Sequence, residues 1–344
     1  MTPDPDRIEH LLRQGVQQKV YPGATWAMGD ADGIQLAGSC GLLDPAEPDR
    51  PMSQDAVFDL ASLTKIIAVW SVIGMLHDQE RLALDDPLGT LMPGLDGCQL
   101  ASVTVHQLLT HTAGVPLRAN LKNLYGTDPV RIRHGVLREP LHRPPGQAVE
   151  YTDRAALILG FLAEHLTGTP LDQLARTGIW QPIGMSTTRF GPLPADLVPR
   201  CAPTEHDDET GTFRRGAVHD FSARVLGGVC GSAGVFSTVT DLAKFLRHLL
   251  DPGAGCGFGP AWVQESLRIH TGELLPAWGL FWHPASGTDP LDGLYRHYGF
   301  TGTGMWISLK QERWAILLTN KLYYTRDRRP LREIRNAFRT LAFA

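Results

Sequence analysis

The chain has 344 residues, 43% hydrophobic and 20% charged, which is enough apolar material for one large two-lobed fold and excludes a disordered segment. Its 32 basic and 36 acidic residues leave a net charge of −4, so no global field draws it to nucleic acid or to an anionic membrane surface. Five scattered cysteines (Cys40, Cys98, Cys201, Cys230 and Cys256) include no C-x-x-C pair, which argues against a disulfide framework, a zinc ribbon or any other metal site.

The amino terminus, Met-Thr-Pro-Asp-Pro-Asp-Arg, has neither the basic start nor the apolar run of a signal peptide, and the expected compartment is the cytoplasm. No run approaches eighteen apolar residues, so no membrane span is expected. Residues 5–18 place Ile8, Leu11, Leu12 and Val16 on one face of an amphipathic helix. Two strands follow, 24–28 and 34–37, joined by a turn at Asp32-Gly33. From Ser62 to about Leu250 the pattern is mostly helical, over 62–78, 105–110, 154–166, 171–177 and 240–250, with Gly168 and Pro252 as terminators. The chain then returns to strands at 278–283, 294–300, 305–309 and 314–319, and a helix over 331–341 closes it. Short links between these strands imply antiparallel pairing. The expected architecture is therefore an α/β fold. Residues 1–61 and 251–344 build an antiparallel sheet flanked by helices, residues 62–250 form a mainly helical lobe, and one site lies between them.

Three segments carry the chemistry. The first is Asp59-Leu-Ala-Ser62-Leu-Thr-Lys65-Ile-Ile, a Ser-x-x-Lys pattern opening a stretch in which Ser71 is the one polar residue between Ile66 and Leu76. A serine at the first turn of a buried helix sits at the positive end of its dipole, and a lysine three residues on shares its face. Desolvation disfavours the ammonium form, so a buried Lys65 is expected to be neutral and able to accept the Ser62 proton. The plainer reading is a snorkelling lysine beside an N-cap serine. The second segment runs from Pro144 through Tyr151-Thr-Asp153-Arg, with Asp153 expected to cap the helix that follows and Tyr151 on the loop before it. The third is Tyr295-Arg-His297-Tyr298-Gly299-Phe300-Thr-Gly-Thr-Gly304-Met-Trp306, whose alternation sets Tyr295, His297 and Gly299 on one strand face. Glycine there permits close approach of a ligand, and a free strand amide could join that of Ser62 around an oxyanion.

In this order and spacing the three segments resemble the serine β-lactamase and penicillin-binding-protein superfamily, especially its class C-like esterase and transacylase branch. The stretches Leu108–Gly114, Val218–Ala223, Gly231–Ser237 and Leu317–Asn320 are similar as well. The resemblance implies Ser62 as nucleophile, Lys65 and Tyr151 as its proton-handling partners with the general base left open between them, and the amides of Ser62 and Phe300 as oxyanion hole. It implies substrate contacts from Asp153, His297, Tyr298 and Gly299; Trp306, next to the Gly-rich strand, is a further candidate. Two departures from the superfamily's motifs matter. Asp153 stands where an amide usually meets the acyl side chain, and a carboxylate cannot donate as an amide does. Tyr298 replaces a threonine and suggests a flatter, more apolar acyl donor.

The function expected is acyl transfer on a small-molecule ester or amide, by an intracellular esterase or an ester-to-amide transacylase of small-molecule biosynthesis. The partners are an acyl donor and, for a transferase, an amine or alcohol acceptor; no cofactor is implied and the oligomeric state is open. The alternatives are a β-lactamase or D-Ala-D-Ala peptidase, and a non-catalytic binding protein on the same fold. Arg118, Arg131, Arg133, Arg138 and Arg143 could border the cleft and greet an anionic substrate, though a solvated surface is the plainer reading, as it is for the acidic run 205–209. His111 reads as structural.

Overall fold

A computed structural model describes residues 3–117, 120–208, 210–253 and 256–344; Arg118 and Glu209 lie outside these. Chain ends that are far apart in sequence meet in one sheet. Strand β1 (Gly23–Asp30) pairs with β2 (Gly33–Gly41) on one side. On its other side, β1 pairs with the last strand of the chain, with Ala24 opposite Thr319. In the middle region a small sheet joins β3 (Phe58–Asp59), β4 (Arg189–Phe190) and β5 (Val235–Ser237). The main sheet is completed by β6 (His283–Pro284), β7 (Leu294–Tyr298), β8 (Gly304–Ser308) and β9 (Arg313–Thr319), giving the antiparallel order β2-β1-β9-β8-β7-β6. Of the expected strand over 278–283, only its end pairs.

Strand alternation divides the buried residues between the two faces of this sheet. Helices α1 (Pro5–Gln17) and α6 (Arg329–Ala342) cover the outer face, where Ile8, Leu12, Trp26, Trp306, Leu317 and Phe338 pack together. The inner face presents Ala27, Met305, Ile307, Ile316 and Leu318 to a larger core shared with the middle region. Helix α4 (Val239–Leu250) lies against β1, β2 and β9 on that side.

The expected helix over 62–78 exists in three pieces. A tight turn spans Ala61–Leu63, a wide turn spans Lys65–Trp70, and α2 covers Ser71–Asp78. The Ser71 amide reaches back five residues to the Ile66 carbonyl, which also accepts from Ser71 Oγ at 3.0 Å. Such π-type widening recurs at functional sites. Helix α3 (Asp153–Thr167) starts one residue earlier than expected, and Thr152, not Asp153, is its N-cap, accepting from the Arg154 amide at 3.1 Å. The short helix α5 (Pro260–Ser266) puts Trp262 against Trp70. All five cysteines are free thiols, and no described helix is long and apolar enough to cross a membrane.

Candidate active site

Ser62 sits on a turn that is clamped by elements remote from it in sequence. The Asp59 carboxylate, buried in the preceding strand, accepts the amides of Ala61 at 2.8 Å and His219 at 2.7 Å. Burial raises its pKa although both amides pull it down. Ala61 holds a left-handed φ of 47°, a strained conformation for a residue with a Cβ. From the sheet side, Thr301 Oγ1 donates to the Asp59 carbonyl at 2.6 Å and Thr303 Oγ1 to that of Leu60 at 3.0 Å. Gly299 lies so near that an added Cβ would collide with the Leu60 carbonyl and the Thr303 hydroxyl. The glycine is thus required by a close approach within the protein, where the sequence suggested one by a ligand.

Lys65 is wholly buried. Its Nζ donates to Ser62 Oγ at 3.0 Å, to Asp153 Oδ1 at 2.7 Å and to the Ser232 carbonyl at 3.0 Å, using all three ammonium hydrogens. The expectation of a neutral lysine is overturned. Burial alone would pull its pKa down, but the Asp153 carboxylate and the nearby Tyr151 hold it above the usual lysine range. Asp153 correspondingly does not line the cavity that Ser62 borders: it faces Lys65 and a pocket of only 30 Å³ beside Asp220 and Ser232. Arg154, the next residue on α3, is buried and forms a two-pronged pair with Glu139 at 2.5 and 2.8 Å, and Tyr125 donates to the same carboxylate at 2.6 Å. This pair anchors the start of α3 and with it Asp153.

Tyr151 is 41% exposed, with Lys65 Nζ 5.1 Å from its ring centre. Behind it stand His111, Trp278 and His297, at centroid separations of 4.8, 6.0 and 6.3 Å. His111 joins the loop to the body, its carbonyl accepting from Glu150 at 2.8 Å and its Nδ1 from the Thr152 amide at 3.4 Å. His297 is buried on the inner face of β7. Its Nδ1 meets the Phe281 carbonyl at 3.0 Å, which fixes the proton there and leaves Nε2 an unpartnered acceptor. Burial and the Lys65 charge drop the His297 pKa to about 3 and hold His111 well below the ordinary histidine value, so both rings are neutral.

These groups open onto a cavity of about 340 Å³ lined by Ser62, Tyr151, Trp278, His297, Tyr298 and Phe300, among others. One expectation fails here. Trp306 is fully buried on the outer face of β8, its ring 5.6 Å from Phe338, because alternation turns it away from the face that Met305 shares with His297. Tyr298 lines the cavity from the outer side of β7, where the guanidinium carbons of Arg296 and Arg335 lie 4.2 and 4.3 Å from its ring centre; its surroundings are cationic rather than apolar. Of the arginines suspected from sequence, Arg133 pairs with Glu164 and Arg143 with Glu150, and neither these nor Arg131 and Arg138 line the cavity. The residues that sequence reasoning missed are Asp59, Trp278, Ser232 and the cavity's own cations. Only Asp59 left a signal, as an acid set between Phe58 and Leu60.

A helix-flanked antiparallel sheet carrying a serine beside a buried lysine fits the class of serine hydrolases and acyltransferases, and the comparisons agree. The chain belongs to the beta-lactamase family, whose model matches residues 8–338. A protein of Escherichia coli (strain K12) named "Putative D-alanyl-D-alanine carboxypeptidase" is 29% identical over 300 residues, 77% of this chain and 69% of its own. Among solved structures, EstCE1, a hydrolase with promiscuous acyltransferase activity, matches at TM-score 0.78 and 19% identity over 98% of each chain. Simvastatin synthase (LovD) from Aspergillus terreus matches at 0.76 and 20%, over 99% of this chain and 98% of its own. A class C beta-lactamase from Rhodobacter sphaeroides matches at 0.76 and 18%, over 98% and 100%.

Proposed function

We propose that the protein transfers an acyl group from a small-molecule ester or amide through an ester on Ser62, as an esterase or an ester-to-amide transacylase. The observation that carries this reading is the hydrogen-bonded chain Ser62 Oγ–Lys65 Nζ–Asp153 at 3.0 and 2.7 Å, centred on a buried lysine and reaching a cavity of substrate size. Because Lys65 is already protonated, it serves as a fixed charge, and Tyr151 is the group that takes the serine proton. The Lys65 ammonium lies 5.1 Å from the centre of the phenol ring. Ser62 Oγ then bonds to the acyl carbon. The amides of Ser62 and Phe300 receive the oxyanion, since the neighbouring amides of Ala61, Leu63 and Gly299 already donate to Asp59, Leu60 and Thr303. Tyr151 returns its proton to the leaving group. In the second half the same phenolate deprotonates water, an amine or an alcohol, which attacks the acyl carbon, and Tyr151 passes that proton to Ser62 Oγ as the ester bond breaks.

The curated relatives' name favours a second reading, a D-Ala-D-Ala carboxypeptidase. Asp153 weighs against it, because its carboxylate is engaged by Lys65 and has no hydrogen to offer an acyl-side amide. The test is intact-mass spectrometry after a serine-reactive phosphonate, followed by incubation with an acyl ester and candidate amines. One adduct on the wild type and none on Ser62→Ala is expected, and labelling that persists in that variant removes Ser62 from the mechanism. Free acid alone identifies a hydrolase, an amide product a transferase, and release of D-alanine from a D-Ala-D-Ala peptide the second reading.

A further inference from the structure

The 340 Å³ cavity that Ser62 and Tyr151 line is also lined by Arg296, Lys321, Arg328, Arg332 and Arg335, and among the described residues no carboxylate lines it. None of the five forms an ion pair among the described residues, although Arg326 and Arg329 close by do so with Glu205 and Asp327. Arg335 is only 8% exposed. Its Nη2 donates to the carbonyls of Gly299 and Thr303 at 3.2 and 2.5 Å, while its Nε is buried without a partner. Arg296 repeats the pattern, with Nη2 on Ser286 Oγ at 2.8 Å and Nε buried and unpartnered. Lys321 and Arg328 lie 5.1 and 4.7 Å from the Phe300 ring centre. The cavity also meets the first turns of α6, whose cap residue Arg328 offers no side-chain acceptor to the helix amides.

Crowded like charges with unused N–H groups are costly unless an anion joins them, and the cost is visible in neighbouring groups. Burial, with the charges of Arg335 and Arg328, lowers the Lys321 pKa to about 8, and burial lowers that of Arg335 to about 10. A carboxylate brings one charge and a planar pair of acceptors. Five cations converging from β7, the 321–328 segment and α6 suit a tetrahedral group of higher charge, with acceptors on several sides. We propose that these five cations bind a phosphate or diphosphate carried by the substrate, so that the acyl-transfer partner of Ser62 is a phosphate-bearing molecule. The inference rests on the Ser62 reading for the word substrate, but the anion site stands or falls alone.

Isothermal titration of pyrophosphate into the Ser62→Ala protein reads that site without catalysis, while the phosphonate adduct on the wild type reads Ser62 without the anion. Pyrophosphate should bind at least tenfold more tightly than glutarate. Affinity should fall at least tenfold in Arg328→Ala/Arg332→Ala and more than threefold in the milder Arg332→Gln, each checked for folding by its thermal melt. Arg329→Ala, which removes a cation already paired with Asp327, should bind as the parent does. Competitive inhibition of neutral p-nitrophenyl butyrate hydrolysis by pyrophosphate in the wild type ties the site to the reaction. Absent binding, equal binding of glutarate, or affinity unchanged in both arginine variants overturns the proposal, even where Ser62 labels normally.

Discussion

At the scale of single residues, Lys65 is decided by two opposed effects. Burial of a lone lysine lowers its pKa by as much as 3–5 units, and a hydrogen-bonded carboxylate reverses that sign. Asp153→Asn removes the carboxylate and leaves a buried ammonium. It should cost about 2 kcal/mol at pH 7, below the 3–5 typical of a broken buried pair because Asp153 itself is half exposed. Since the folded-state pKa of Lys65 is raised, its contribution is complete below the unfolded value of about 10.4 and fades above it. Urea melts should therefore show the gap between wild type and variant narrowing past about pH 10. His297 works in the opposite direction. Its folded pKa of about 3 lies below the unfolded value of about 6.5, so the unfolded state binds more protons between them and stability falls as pH drops through that window. The slope is at most about 1.4 kcal/mol per pH unit from this group. His297→Gln should flatten it, measured by melts at pH 4.5 and 7.5. For Tyr151, replacement by Phe should lower kcat/KM by about 10²–10⁴-fold with an unchanged melting temperature, since the proposed mechanism makes the hydroxyl the proton carrier and 41% of the residue is exposed.

At the scale of elements, the start of α3 is set by what lies under it. Arg154 and Glu139 are 4% and 9% exposed, and Tyr125 completes the cluster. Glu139→Ala strands a buried guanidinium and should cost about 3–5 kcal/mol in a denaturant melt. Because Asp153 precedes Arg154, the variant should also lose acylation rate at temperatures where it remains folded. The Ser62 turn is held likewise by elements remote in sequence: β3, the loop 299–303 and the amide of His219. A helix-tip serine accounts for its position, and these contacts account for its fixed orientation.

At the scale of the whole molecule, the sheet separates two tasks. Its inner face meets the middle region at the site, and its outer face makes a second core with α1 and α6. Trp306 belongs to that second core. Trp306→Ala should cost about 3–5 kcal/mol in stability, as large aromatic truncations in cores do, while the phosphonate labelling rate of Ser62 in the folded protein stays within about twofold.

Local pattern sufficed for much of this. Apolar periodicity marked α1, α3, α4 and α6 within a few residues, and alternation marked five of the six strands of the main sheet, because both periods are fixed by backbone geometry. The Ser-x-x-Lys spacing put Lys65 on the face of Ser62, and the Tyr-x-Asp and His-x-Gly segments converge on it as their order suggested. Pattern could not decide which face of a strand looks into the cavity, so Trp306 was misplaced. Nor could it set the charge of Lys65, which depends on a carboxylate 88 residues away. Periodicity is a property of neighbours along the chain. Charge state, cavity lining and the five-cation wall arise from groups brought together across it, and only the folded arrangement fixes those distances.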